Sequence, residues 1–112
     1  MRPRPFLLLL AGFALALMAA GEADAKEPLW SYDTGNGVGS VAISADGEYI
    51  AVGSGNDTVY LFDKDSSTPL WSYDTGSYVY SVAISADGGY IAAGSEDGRV
   101  YLFNKDSSTP IW

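Results

Sequence analysis

A stretch of this chain is written twice. Pro28–Thr68 is followed without a gap by Pro69–Thr109, an offset of 69 − 28 = 41 residues, and Pro110, Ile111 and Trp112 open the phrase a third time. Residues 28–68 are repeat 1, residues 69–109 repeat 2 and residues 110–112 the start of a third. About three-quarters of the aligned positions, 31 of 41, are identical, and Trp30, Trp71 and Trp112 keep the spacing. A period near 40 restricts the chain to stacked units, either propeller blades or helical arrays, in which one unit cannot bury its own hydrophobic face.

Strand chemistry decides between the two. "SVAIS" (40–44, 81–85), "YIAVGS" (49–54), "YIAAGS" (90–95) and "VYLF" (59–62, 100–103) are short, β-branched and aromatic, and turn residues separate them. "ADG" at Ala45–Gly47 and Ala86–Gly88 closes a hairpin, because Asp-Gly accepts the positive φ that tight hairpins need. "EDG" at Glu96–Gly98 does the same, and "GND" at Gly55–Asp57 replaces it in the first repeat. "KDSSTP" makes a longer polar bend whose proline enters the next strand, where no ladder donor is required. Each unit therefore reads as four antiparallel strands and three turns.

Alternation predicts how the units pack. Val41, Ile43, Ile50 and Val52 share one face; Ala42, Ala51 and Gly53 share the other. In "VYLF", Val59 and Leu61 oppose Tyr60 and Phe62. Neither face carries charge, so both are expected to be covered. A bulky face against a small one suits unit-on-unit stacking rather than a sandwich with one wet side.

At these residues the chain resembles known propeller repeats. "SVAISADGGYIAAGSEDGRVYLFNKD" is similar to a WD-type repeat, with Phe62-Asp63 and Phe103-Asn104 where that family has Trp-Asp. "WSYDTG" and "GSEDGRVYLFNKDSSTPIW" look equally like the repeats of pyrroloquinoline-quinone-type exported propellers. The resemblance implies an all-β partial propeller over residues 26–112, with two tandem four-stranded blades and an extra outer strand. It also implies that Trp30, Trp71 and Trp112 dock against neighbouring blades. In such propellers one blade's outer strand comes from elsewhere in the chain, so Pro28–Thr34 is expected to be an orphan outer strand. Residues 38–75 then form one blade and residues 79–112 a second, with "PIW" as its outer strand. The fold is specific; the activity is not, since propellers host many.

Residues 1–25 read as a secretory signal peptide: Arg2 and Arg4, an apolar run from Phe6 to Ala20, and an A-x-A pattern at Ala23 and Ala25. The run is shorter than the ~20 residues a spanning helix needs. Cleavage after Ala25 removes two basic and two acidic residues, leaving the net charge of −8 unchanged. A secreted, periplasmic or cell-surface location is expected. Excess acid makes nucleic acid and anionic membrane poor partners. With no cysteine there is no disulfide framework.

Composition also narrows the chemistry. The chain has no histidine, so neither a Ser-His-Asp triad nor the usual zinc set can be written. Asp63, Asp65, Ser67 and Asp74 fall at positions 1, 3, 5 and 12 of a calcium-loop template. Thr68 stands where the template needs glycine, so a plain turn is the reading. Asp63 and Asp65, as neighbouring rim acids, read as solvated rather than as an acid–base pair. No catalytic, cofactor or metal residue is assigned, and none is expected. Asn56-Asp57-Thr58 is a glycosylation sequon. The differences between repeats point to Tyr78, Tyr80 and Arg99, which replace Gly37, Gly39 and Thr58, because tyrosine and arginine anchor protein interfaces. Tyr80 alternates with Val79 and is expected to pack between blades; Tyr78 suits that role or contact with a protein or glycan ligand.

Two blades cannot close a ring. An exposed end face of roughly 300 Å² leaves on the order of 8 kcal/mol unrealised at ~25 cal/mol/Å². Further blades are therefore the expected partners, from copies of the chain closing a ring or from a longer repeat protein of which this is part. The expected function is that of a non-enzymatic scaffold for assembly or protein binding. The alternative is a fragment of a quinoprotein-like dehydrogenase whose catalytic blades lie elsewhere.

Overall fold

Tight turns and alternating strands build two small sheets. The computed structural model describes residues 26–112, so the signal peptide expected over residues 1–25 lies outside the described residues. The first sheet contains β1 (Val38–Ile43), β2 (Tyr49–Ser54), β3 (Thr58–Asp63) and β4 (Trp71–Asp74), ordered β1-β2-β3-β4. The second contains β5 (Val79–Ile84), β6 (Tyr90–Ser95) and β7 (Val100–Asn104), ordered β5-β6-β7. Every neighbouring pair is antiparallel. No helix occurs among the described residues.

The hairpins close where the sequence places them. Gly47 and Gly88 take φ of 75° and 78°, and their N–H groups donate to Ser44 and Ser85 at 2.9 Å in both repeats. At the second hairpin Gly98 has φ 86°; its counterpart Asp57 takes φ 71° with a side chain attached, a conformation that aspartate tolerates better than most residues.

Three details go beyond the expected strand plan. Pro28–Thr34 runs over the first blade without joining a ladder. The second sheet has three strands, and Pro110–Trp112 only starts a fourth: Ile111 N–H donates to Leu102 O at 2.6 Å, as Leu70 does to Leu61 at 2.7 Å. Finally, a bulge interrupts the register at Gly39 in β1 and at Tyr80 in β5.

The core lies between the sheets. β5 packs on β1 and β2, joining Ala51, Val59 and Leu61 of the first blade to Val79, Val82, Ile91, Ala93, Tyr101 and Phe103 of the second. The small face of one blade meets the bulky face of the next, as the alternation predicts.

Candidate docking faces

The joint between the blades is the reference for what each outer face can do. Its apolar centre is tight: a Cβ on Gly53 would stand 2.7 Å from Val79 Cγ1. Polar contacts flank it, with Val82 N–H donating to Ser40 Oγ at 3.2 Å and Asp46 N–H to Ala86 O at 3.3 Å. At the outer edge Trp71 Nε1 donates to Lys105 O at 2.8 Å, and its ring packs 5.0 Å from Phe103. Lys105 Nζ lies 5.7 Å over the Tyr49 ring, and that ring faces Gly88, where a Cβ would collide with it.

Moving each joint residue by one repeat gives its unpartnered twin. Val82 is 8% exposed, whereas Val41 on the first blade's outer face is 63% exposed. Val59 is fully buried; Val100 on the second blade's outer face is 58% exposed. These are the same residue types at the same register: the neighbouring blade covers Val82 and Val59, and Val100 also lacks the fourth strand that pairs Val59 with Tyr73. The bulky face of the first blade contains an apolar groove of about 260 Å³ lined by Trp30, Tyr32, Val38, Val41, Ile50, Val52 and Phe62. In the second blade the corresponding positions are filled by Ala51, Val59 and Leu61. A second hollow of about 360 Å³, bordered by Leu29, Ile43, Gly47 and Lys64, matches the place that Tyr49 occupies at the joint.

Trp30 and Trp71 each lie against the blade that follows them in the chain. Trp30 Nε1 donates to Lys64 O at 2.7 Å and packs 5.2 Å from Phe62, repeating the Trp71 geometry one repeat earlier. Trp112 has no following blade among the described residues and is 67% exposed. Tyr78, not Tyr80, packs between blades, its hydroxyl lying over Gly39. The expectation for Tyr80 is corrected: it is 54% exposed, because the bulge at that residue lets Val79 and Val82 both face the joint and leaves Tyr80 outside it. The two rings lie 5.6 Å apart. Arg99 is exposed on the same end of the blade, since Ser95 connects Val79 by ladder register to Arg99 O by a 3.1 Å hydrogen bond.

Asn56 Nδ2, the atom a glycan would modify, donates to Thr34 O and to the Tyr60 hydroxyl, each at 2.9 Å. It is not free in the folded chain. Asp63 and Asp74 do not converge as a calcium loop requires, because Asp74 pairs opposite Thr58 at the far end of β3.

Several acids are committed to turns. Ser44 Oγ at 2.6 Å and Glu48 N–H at 3.0 Å hold Asp46 below the usual carboxylate range. Gly89 N–H and Ser85 Oγ act likewise on Asp87. The Tyr101 hydroxyl, 2.7 Å away, is the leading cause lowering Asp97, and Asp97 in turn raises Tyr101. Carboxylates held this way brace loops and favour the ionised form.

The family described as outer membrane protein assembly factor BamB matches residues 16–112. Among curated proteins no sequence matches. Among solved structures, the crystal structure of the computationally designed Ika4 protein superimposes with a TM-score of 0.67 at 17% identity, over 78% of this chain and 53% of that one. The chain thus spans about half the length of that designed protein, and the likeness is one of fold alone.

Proposed function

Because the chain belongs to the family of the outer membrane protein assembly factor BamB, over residues 16–112, we propose that it is an exported, non-enzymatic propeller module of the cell envelope. Its two blade faces act as a scaffold for assembly and protein binding. The observation that carries this reading is the pair Val41 and Val82, identical in register and 63% against 8% exposed. One bulky face is used inside the chain, and its twin is offered outward. Burying an apolar face of this kind contributes on the order of 8 kcal/mol at ~25 cal/mol/Å², comparable to the ~5–15 kcal/mol that holds a typical domain together. The family match supports an envelope location, and the acids that the turns immobilise suit structure rather than proton transfer.

Light scattering and thermal unfolding of the purified chain test the reading. A discrete assembly whose Tm rises with protein concentration is expected, because association stabilises the folded state by mass action. A well-folded single molecule with a concentration-independent Tm overturns it.

A further inference from the structure

The differences between the repeats fall at places that meet across the joint. The Tyr78 hydroxyl stands 2.6 Å from where a Cβ on Gly39 would be, and Val79 O stands 3.1 Å from the same point. A side chain at position 39 and a tyrosine at position 78 therefore exclude each other. In the second blade the counterpart of Gly39 is Tyr80. Whatever blade stacks on that face cannot carry tyrosine at the counterpart of Tyr78. The first blade carries Gly37 there, with open space around it: nothing lies within 4 Å of a Cβ built on Gly37.

Building on the scaffold reading, we propose that the outer face of the second blade takes the outer face of the first blade of another copy of this chain, with Tyr80 standing over Gly37. Joints with tyrosine on glycine and joints with glycine on tyrosine then alternate around the assembly. The two free faces also hold the other parts of the internal joint. Val100 and Leu102 repeat Val59 and Leu61 and fit the groove beside Val41 and Phe62. Ser81 Oγ repeats Ser40 as the acceptor for Val41 N–H, and Lys64 offers Tyr90 the place that Lys105 gives Tyr49. A second blade stacked on another second blade would instead bring tyrosine against tyrosine. Order is set by steric exclusion and affinity by apolar burial. Propellers of 4–8 blades correspond to about two to four such copies. Each copy carries −8, so added salt strengthens the association by screening.

The test is sedimentation equilibrium on the full purified chain and two variants. Gly37→Tyr meets only open space in the separate chain and should leave its circular dichroism unchanged. It should weaken assembly about tenfold or more by placing tyrosine on Tyr80. Adding Tyr80→Gly to that variant recreates the internal Tyr78–Gly39 arrangement and should restore assembly to within about threefold of the parent. If the parent assembles and Gly37→Tyr assembles equally well, or the double variant is not rescued, this pairing is wrong while the scaffold reading stands. A parent that stays single at every concentration overturns both.

Discussion

Trp71 belongs to the first sheet by its backbone and to the second by its side chain. Its Cα pairs opposite Leu61, while its indole N–H reaches Lys105 O at 2.8 Å in the next blade. A strand at the outer edge of one blade thus clamps the bend that ends β7 of the other. Removing the hydrogen bond alone with Trp71→Phe should cost about 1 kcal/mol, and Trp71→Ala about 3–5 kcal/mol, measured by urea unfolding. Trp112→Ala should change the stability of the dissociated chain by less than about 0.5 kcal/mol, because that ring has no blade to clasp.

Gly53 and Gly94 are twins in different surroundings. A Cβ on Gly53 meets Val79 Cγ1 at 2.7 Å, whereas one on Gly94 meets only Ser81 Cβ at 3.9 Å. Gly53→Ala should destabilise the chain by about 1–3 kcal/mol through overpacking of the joint. Gly94→Ala should leave the dissociated chain unchanged and weaken self-association, because another blade would press on the added methyl. Unfolding curves at low and high concentration separate the two effects.

Acid should weaken the second blade more than the first at one matched site. Asp97, held ionised chiefly by Tyr101, contributes fully above the unfolded carboxylate value of ~3.9. That contribution disappears as pH falls through the lower folded value. Tyr101 runs the other way: its raised value stabilises the fold below ~10 and is lost as pH climbs through the folded value. Tyr101→Phe should therefore shrink the acid-dependent loss of stability. Tyr60→Phe should not, because its partner Asn56 does not titrate. Urea midpoints followed between about pH 2 and 7 give the comparison.

Asp57 holds a left-handed φ of 71°, where the other repeat has Gly98. Asp57→Gly should stabilise the chain by about 0.5 kcal/mol, the relief of left-handed strain being partly offset by glycine's greater entropy loss on folding. A fall in Tm would show that the Asp57 side chain makes a favourable contribution outweighing its backbone strain.

The repeat, the strand runs and the hairpin glycines could all be read in one dimension. Each depends on neighbours within a few residues, and membership in the BamB family fits that reading. The fate of Tyr80 could not be read that way. Counted back from Val82, strict alternation aims it into the joint, but a one-residue bulge turns it out, and bulges depend on how two strands meet. Gly39 was equally silent, because its constraint comes from Tyr78, a residue of the following blade.

Local order was written into the chain itself: a period of 41, two faces of unequal bulk, and glycine or aspartate wherever the backbone must turn left-handed. Tertiary structure decided which members of each identical pair are covered, since Val41 and Val82 have the same chemistry and the second is covered by a neighbouring blade. The physical reason is that secondary structure follows from torsional and alternating preferences along the backbone. Burial, by contrast, is a relation between surfaces that no single stretch of residues contains.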